Sequence, residues 1–267
     1  MPVQTMASII ENKALGGGLW LLEAVAPGLV AEATPGQFVQ VRVSPQADPL
    51  LRRPISIFDA DKDTGVLRLL YRAVGRGTLM MTALRPGETL DVMGPLGRGF
   101  ALDIAAGHAA LVGGGVGCAP LLYLGKALLA RGCRVSLYGG AATAAGLSFA
   151  EHFTAAGITL HPATDDGTLG HHGLITDLFF AGVNSAATEG VYCCGPAPMM
   201  AAVAAHCRRL GLRAQFSLEQ HMACGVGACL GCACKLKSED EGYAKICKDG
   251  PVFDLEQLGW GREGGNA

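Results

Sequence analysis

The amino-acid sequence predicts a β + α/β protein built from three successive parts. Short runs of β-branched and apolar residues, separated by Gly and Pro, fill the N-terminal part. Strand-like and helix-like segments alternate in the middle, and four cysteines stand at fixed spacing near the C-terminus. These observations predict an N-terminal antiparallel β-barrel at 1–103, a parallel-sheet α/β domain at 104–214 and a small cysteine-bound module at 215–267.

The composition is that of a folded globular protein, with 267 residues of which 50% are hydrophobic and 16% charged. The formal net charge of −2 gives no reason to expect a nucleic acid or an anionic membrane as partner. The apolar stretches are interrupted and shorter than the roughly 20 residues that cross a bilayer. No targeting segment is recognisable at the N-terminus. We therefore expect a cytoplasmic protein that binds neither nucleic acid nor membrane.

The barrel is predicted from short strand-like runs punctuated by turn-forming pairs such as Pro35-Gly36 and Pro86-Gly87. A helical pattern is suggested there only around Thr78–Leu84. Regularly spaced short strands favour a small antiparallel barrel. The predicted strands are Gln37–Val43, Pro54–Phe58, Val66–Arg72 and Thr89–Met93.

Three segments of the predicted barrel carry residues that suit a flavin nucleotide. Arg53-Pro54-Ile55-Ser56 combines a cation that can bind pyrophosphate through paired N–H donors with a nearby hydroxyl. Leu70-Tyr71-Arg72 offers a ring that can flank a flavin, and Gly77-Thr78 offers N–H and hydroxyl donors at a helix start. Each segment alone also fits an exposed Arg, a core Tyr or an ordinary turn. Their joint occurrence favours binding of FAD.

The middle part is predicted as a parallel α/β sheet because strand-like and helix-like segments alternate. The run at 109–114 is short and fully apolar, as a buried parallel strand would be. The predicted strands are Ala109–Gly114, Arg134–Tyr138, Ile158–Ala163 and Gly190–Cys194, and the predicted helices are Ala119–Arg131 and Met199–Leu210.

Two glycine motifs follow predicted strands of this sheet, where ligands of open α/β sheets bind. The first comprises Gly113, Gly114, Gly115 and Gly117, and it departs from G-x-G-x-x-G because Cys118 or Pro120 takes the third glycine position. Considered alone, it also fits a tight turn with close helix–strand packing. The second is Cys194-Gly195-Pro196, in which Cys194 either approaches a nicotinamide ring or fills a strand end. Together the motifs predict a nucleotide site. The segment Tyr138–Thr143 carries no Arg or Lys for a 2′-phosphate, which favours NAD over NADP.

The four cysteines Cys224, Cys229, Cys232 and Cys247 follow the pattern C-x4-C-x2-C-x14-C, the plant-type spacing for a [2Fe–2S] cluster. Glycines between the first three let the backbone turn so that N–H groups face the sulfurs. The alternatives are a four-thiolate zinc site, which usually pairs two short hooks, and unligated thiols. Cys234 is interpreted as a packed thiol, with ligand exchange as a minor alternative. The remaining cysteines are expected to be thiols, mostly buried: Cys118, Cys133, Cys193, Cys194 and Cys207.

With these motifs in this order, nearly the whole chain resembles the electron-transfer subunits of NAD-dependent (class 1B) dihydroorotate dehydrogenases, within the ferredoxin–NADP reductase-like superfamily. The barrel and glycine motifs match the flavin and nicotinamide segments of that superfamily, and Gly94–Gly97 with Phe100 matches the link that closes the barrel. The most specific blocks are Ser217–Cys224 and Cys247–Phe253. A sister group, the flavin subunits of NADH-dependent ferredoxin:NADP reductases, is similar too. That group can replace one cluster cysteine with Asp, whereas all four positions here are Cys.

The resemblance implies an electron relay for orotate formation in pyrimidine biosynthesis. The implied partner is an FMN-containing β/α-barrel catalytic subunit that oxidises dihydroorotate, in an α2β2 heterotetramer. Electrons would pass through the [2Fe–2S] cluster and FAD to NAD+. No residue of this chain is expected to act as a general acid or base on dihydroorotate. The alternatives are a flavin and [2Fe–2S] subunit of an NAD(P)H:ferredoxin or sulfide-type oxidoreductase, and a zinc-containing nucleotide-binding regulator.

Overall fold

The computed structural model describes residues 2–46, 48–236 and 243–260. Within these ranges, strands close an antiparallel barrel, a larger sheet follows it, and a short hairpin lies in the C-terminal part. The predicted β + α/β fold class is therefore confirmed. Among the described residues, no helix is both long and apolar enough to cross a membrane.

The described barrel strands are hydrogen-bonded in the order β1-β2-β5-β4-β3-β6. The predicted strands match β3 to β6 with ends shifted by a few residues. The hairpin of β1 and β2 was not predicted, because most side chains of its first strand are exposed and form no apolar run. The elements are β1 (Val3–Gly16), β2 (Leu19–Val25), α1 (Pro27–Glu32), β3 (Phe38–Arg42), β4 (Arg53–Asp61), β5 (Val66–Arg72), α2 (Arg76–Met81) and β6 (Thr89–Leu96).

Side chains of β3 alternate between the two faces of the barrel wall, as a strand requires. Val39 and Val41 belong to the apolar core inside the barrel. Phe38 belongs to a different core, which it shares with the sheet and the C-terminal part of the chain. Gln40 lies on the same outward face as Phe38 and is fully buried. The outer face of β3 is therefore an internal surface of the protein.

The parallel strands of the sheet lie in the order β10-β9-β8-β7-β11-β12. The chain continues from β7 to β8 on one side, and β11 lies on the other side of β7, so the strand order reverses there. Ligands of such sheets bind outside the carboxyl ends of the strands at this reversal. The elements are β7 (His108–Gly114), α3 (Ala119–Ala130), β8 (Arg134–Ala141), α4 (Ala150–Ala155), β9 (Thr159–Thr164), β10 (His171–His172), α5 (Ile175–Gly182), β11 (Thr188–Cys194), α6 (Ala197–Leu210) and β12 (Ala214–Ser217).

The C-terminal part of the chain leaves the sheet after β12 and later returns to it. It forms the cysteine loop, the hairpin of β13 (Ala233–Lys235) and β14 (Tyr243–Lys245), and then β15 (Val252–Asp254). Strand β15 pairs antiparallel with β12, so the loop between them is anchored at both ends. The predicted boundary between 214 and 215 falls inside β12.

Helix α3 joins the barrel to the sheet. Lys126 Nζ lies 2.7 Å from the carboxylate of Asp59 on β4, which also pairs with Arg68 at 3.1 Å. The Tyr123 hydroxyl donates to the carbonyl of Ala33 at 3.1 Å. Because α3 begins at the glycine-rich turn after β7, these contacts fix that turn relative to the barrel.

Candidate functional site

A cleft between the barrel and the sheet contains two adjoining cavities. The larger, about 650 Å³, lies at the carboxyl ends of β7, β8 and β11. The smaller, about 250 Å³, lies against β4 and β5 of the barrel. Arg72, Val116 and Glu219 line both cavities, so ligands in the two spaces would meet at these residues.

Most residues of the two predicted glycine motifs line the larger cavity. Its lining includes Gly114, Gly115, Gly117, Gly195 and Pro196. A side chain at position 117 would collide with the backbone of 194–195, so the turn after β7 approaches the end of β11 closely. This cradle of backbone at a helix start suits the phosphates of a dinucleotide.

Gly113 and Cys194 do not line the cavity. A Cβ atom on Gly113 would lie 2.3 Å from the sulfur of Cys118, so this glycine serves close packing beneath the turn. Cys194 is 1% exposed. Burial, with a smaller effect from the charge of Glu219, raises the pKa of the Cys194 thiol well above its ordinary value. Cys194 is therefore a protonated thiol at the end of β11, beneath the site.

Most of the residues predicted to bind FAD line the smaller cavity. Pro54, Ile55, Ser56, Leu70, Tyr71, Arg72 and Thr78 line it. Arg53 and Gly77 lie beside it, packed so closely that a Cβ on Gly77 would be 2.2 Å from Arg53 Nε. An apolar wall with a few hydroxyl and cationic groups suits a flavin ring system next to its phosphates.

Two of these side chains are held by partners inside the protein. The Tyr71 hydroxyl donates to Asn12 Oδ1 at 3.0 Å in the barrel, and burial raises the pKa of Tyr71 to about 12. The Thr78 hydroxyl donates to the carbonyl of Gly75 at 3.0 Å and accepts the N–H of Val74 at 3.1 Å. The Gly75 N–H also donates to the Thr78 hydroxyl, at 3.1 Å, so Thr78 orders its turn at the edge of the cavity.

Several residues of the cleft were not among the predicted site residues, and three of them bear on the function. Glu219 and Met222 follow β12, and Met222 lines the smaller cavity. The walls of the cleft desolvate the Glu219 carboxyl and raise its pKa. Asp165 follows β9 and lines the larger cavity. Asp165 directly follows β9, and Glu219 and Met222 lie two and five residues beyond β12, so the rule that ligands bind at the carboxyl ends of strands was the available signal.

The four predicted cluster cysteines form two pairs. The sulfurs of Cys224 and Cys229 are 3.3 Å apart, and those of Cys232 and Cys247 are also 3.3 Å apart. Two thiolates on one tetrahedral ion, with bonds of about 2.3 Å, lie roughly 3.8 Å apart. Each pair is therefore arranged to bind one metal ion after a small adjustment.

Backbone N–H groups surround the sulfurs, as the glycine-rich loop predicts. Gly227 donates to Cys247 Sγ at 3.2 Å, and Cys229 donates to Cys224 Sγ at 3.4 Å. Burial raises the pKa of Cys224, but N–H donors from Cys229 and Val226 outweigh burial and lower it to about 6. Such donors stabilise sulfur-centred negative charge, which an iron–sulfur site requires.

The donor set fits a two-iron cluster better than zinc. Among the residues that the structure describes, no group of three or more His, Cys, Asp or Glu side chains surrounds a point where one ion could bind. A structural zinc ion needs four such ligands, whereas each iron of a [2Fe–2S] cluster takes two protein thiolates. Cys234 lies on β13 opposite Ala244, outside both pairs. None of the ten cysteines forms a disulfide; of the six outside the cluster set, five are buried and Cys234 is half-buried.

Comparisons with known proteins agree with this site. A family model described as the iron-sulfur cluster binding domain of dihydroorotate dehydrogenase B matches residues 219–259. An electron transfer subunit of dihydroorotate dehydrogenase B (NAD(+)) from Bacillus caldolyticus is 46% identical over 222 residues, 82% of this chain and 84% of that protein. Its counterpart from Desulforamulus reducens is 39% identical over 255 residues, 95% of this chain and 97% of that protein.

Solved structures support the fold. The NADH-dependent reduced ferredoxin-NADP oxidoreductase superposes with a TM-score of 0.84 and 28% identity, over 96% of this chain and 90% of that chain. A ferredoxin NADP+ reductase from Neisseria gonorrhoeae, with bound FAD and NADP, gives a TM-score of 0.66 over 78% of this chain and 92% of that chain. At 16% identity, the latter shows the fold alone.

The barrel, the adjoining cavities and the paired cysteines define an oxidoreductase of the ferredoxin–NADP reductase type with an added iron–sulfur module. Its sequence relatives define a narrower family within this class. The chain belongs to the family of electron transfer subunits of NAD-dependent dihydroorotate dehydrogenase B.

Replacing Cys232 tests the assignment of the ligands. We expect Cys232→Ala to lose the cluster, because Cys247 then has no partner thiolate for its iron. Iron and acid-labile sulfide analysis of purified protein measures this loss. Cys234→Ala is the matched control, two residues away, and should keep about two iron atoms per chain. Full cluster content in Cys232→Ala, or loss of the cluster in Cys234→Ala, would contradict the assignment.

Proposed function

We propose that this chain passes electrons from the catalytic subunit of a dihydroorotate dehydrogenase, through a [2Fe–2S] cluster and FAD, to NAD+. The observation that carries the proposal is the order of the sites along the molecule. The cysteine loop follows Met222, which lines the flavin cavity, and the flavin cavity adjoins the dinucleotide cavity at Val116 and Glu219. The three sites therefore form a series in which FAD occupies the middle position.

That order matches the chemistry of the three groups. When bound, a cluster carries single electrons, nicotinamide carries a hydride, and a flavin exchanges electrons in both ways. The residues of this chain bind and orient these groups. The backbone of the turn at 114–117 would hold the dinucleotide phosphates, and Arg72 and Glu219 line the junction of the cavities. Pro54, Ile55 and Ser56 form the barrel side of the flavin site.

We further propose that the partner is an FMN-containing β/α-barrel that oxidises dihydroorotate, in an α2β2 heterotetramer in the cytoplasm. The relatives are named as electron transfer subunits, which implies a separate catalytic subunit. Free cysteine thiols throughout the chain support a reducing compartment.

The cysteine loop supplies the surface on which this partner would dock. Cys224 and Cys229 are partly exposed, whereas Cys232 and Cys247 are buried. Two large apolar side chains of the loop are exposed beside the first pair, Val226 at 47% and Leu230 at 71%. Exposed apolar side chains at a redox centre favour a protein partner there, because apolar contact excludes water from the interface.

A second candidate is a subunit that exchanges electrons between NAD(P)H and ferredoxin. The specific observation in its favour is the extensive similarity to the NADH-dependent reduced ferredoxin-NADP oxidoreductase. The sequence relatives of higher identity favour the dihydroorotate enzyme. The protein that co-purifies with this chain distinguishes the candidates.

The central test is reconstitution from separate subunits. We expect the isolated chain to show flavin and iron–sulfur absorption and to oxidise NADH with an artificial acceptor. It should not oxidise dihydroorotate. Addition of the catalytic subunit should give dihydroorotate-dependent reduction of NAD+. Dihydroorotate turnover by this chain alone would contradict the proposed division of labour, and recovery with a ferredoxin-linked subunit would favour the second candidate.

Substitution of Leu230 tests the docking surface. We expect Leu230→Glu to weaken binding of the catalytic subunit at least about tenfold, equivalent to about 1.4 kcal/mol, because a charge replaces an apolar contact. Titration of one subunit against the other measures the affinity. Ile10→Glu is the control, since Ile10 is also exposed, at 44%, but lies on barrel strand β1. NADH oxidation with an artificial acceptor should be unchanged in both variants. If both variants bind the catalytic subunit with equal affinity, the interface lies elsewhere on the chain.

Asp165 provides the physical basis that we propose for NAD selectivity. Its N–H donates to the carbonyl of Ala141 at 3.1 Å, which fixes it at the carboxyl edge of β8 and β9. A carboxylate in this cavity can accept hydrogen bonds from ribose hydroxyls and repels a 2′-phosphate. Arg72, the one Arg or Lys in the described lining, lies at the junction with the flavin cavity.

We therefore expect Asp165→Ser to raise the ratio of kcat/KM for NADPH to that for NADH by about tenfold, a change of about 1.4 kcal/mol. Steady-state assays with an artificial acceptor measure the ratio. Asp166→Ser is the control, because the Asp166 carboxylate binds the Thr168 hydroxyl at 2.6 Å and does not line the cavity. The same change in both variants, or none in Asp165→Ser, would exclude this role.

A further inference from the structure

Gln40 is a polar side chain buried in the wall between the barrel and the cysteine loop. It is fully inaccessible to solvent. Its carbonyl oxygen Oε1 has no hydrogen-bond partner among the residues that the structure describes. Within the described part of the chain, the hydrogen-bond partner of its nitrogen Nε2 is the thioether of Met222, at 4.0 Å, which is a weak acceptor. Both ends of a buried amide normally have strong partners, and an unmade bond costs free energy.

The position of this amide connects two of the proposed cofactor sites. On one side, Met222 contacts Gln40 and lines the flavin cavity. On the other side lies Gly225, the residue after the first cluster ligand. A Cβ atom on Gly225 would be 2.7 Å from both Cγ and Nε2 of Gln40. The nitrogen end of the amide is therefore packed against the backbone of the cluster loop beside Cys224.

The backbone at Gln40 is fixed from the barrel side. Arg52 donates to the Gln40 carbonyl at 3.4 Å, and the same guanidinium binds both carboxylate oxygens of Asp91 at 2.9 Å. Strand pairing places Gln40 between Pro54 and Met93. Gly225 has a φ of +69°, in the left-handed region that favours glycine. The close approach of loop and amide thus depends on Gly225 and on a rigid strand.

We propose that Gln40 is a positioning residue of the electron relay, whose buried amide dipole, packed with its nitrogen end against Gly225 beside Cys224, stabilises the iron–sulfur cluster and so sets the cluster's reduction potential. This inference rests on the proposed function, because it requires the cluster. N–H groups near the sulfurs of a cluster are among the factors that set its potential. An N–H donor favours the reduced, more negatively charged state. Its removal should therefore make the potential more negative.

Two substitutions of similar shape test this role. Gln40→Met keeps an unbranched side chain of similar length but removes the N–H donor. Gln40→Glu keeps the shape and adds negative charge. We expect the midpoint potential, measured by a redox titration monitored by electron paramagnetic resonance on the full chain, to become more negative in Gln40→Met and more negative still in Gln40→Glu.

Gln37→Met is the matched control. Gln37 also lies near the cysteine loop, but its amide is already satisfied by the Gly97 carbonyl at 2.8 Å and the Thr34 N–H at 2.9 Å. The cluster in Gln37→Met should have the same midpoint potential as in the unaltered protein. If Gln40 only fills space, Gln40→Met should also leave the potential unchanged, and that result would overturn the proposal.

A measurement on the unaltered chain covers the case in which the variants fail to fold. Protein labelled with ¹⁵N in the glutamine side chains should show a ¹⁵N hyperfine coupling to the reduced cluster. No such coupling would overturn the proposal. Where Gln40→Glu folds, loss of the coupling assigns it to Gln40, and its persistence contradicts that assignment. If the unaltered protein binds FAD but no iron, the proposed function itself fails, which is a distinguishable result.

Discussion

The packing of helix α3 against barrel strand β4 is the constraint on which the cleft depends. The helix begins at the glycine-rich turn, so its position fixes the dinucleotide cradle relative to the flavin wall. Asp59 is almost fully buried on β4 and receives both Lys126 from the helix and Arg68 from the barrel. A buried carboxylate is tolerated only when it is paired in this way. The two large parts of the protein therefore have one favourable mutual orientation, and the cavities adjoin as a consequence.

A second apolar core extends this arrangement to the cysteine module. Phe38 from the barrel, Phe216 from β12 and Phe253 from β15 belong to one buried cluster of side chains, together with Cys232 and Cys247. The Arg98 N–H donates to the Gly250 carbonyl, which ties the end of the barrel to the segment before β15. The module is thus held by the barrel and by the sheet. Short, fixed separations between redox centres require this kind of support.

The sequence was most informative where the spacing of a few residues determines the chemistry. Cysteine spacing predicted four ligands that the fold brings together as two pairs, and glycines after apolar strands predicted a turn that lines the larger cavity. The hairpin of β1 and β2 was not predicted, because its first strand is mostly exposed and lacks an apolar run. Gln40 is a single polar residue within an apolar strand, which hints at a special role, but its contact with Gly225 joins residues far apart in the chain. Such long-range contacts follow only from the three-dimensional fold.

The reactive side chains nearest the glycine motifs are buried or engaged within the fold. Cys118 and Cys194 lie beside the glycine motifs, yet both are buried, and burial raises the pKa of Cys118 to about 12. His108 is engaged with Ser136 at 3.0 Å within the sheet, and His206 is stacked on Phe180. In the described lining, the cavity walls are mostly backbone, apolar side chains and a few fixed charges. Such walls suit the orientation of bound cofactors, so the specificity of the proposed relay depends on which groups the geometry brings into contact.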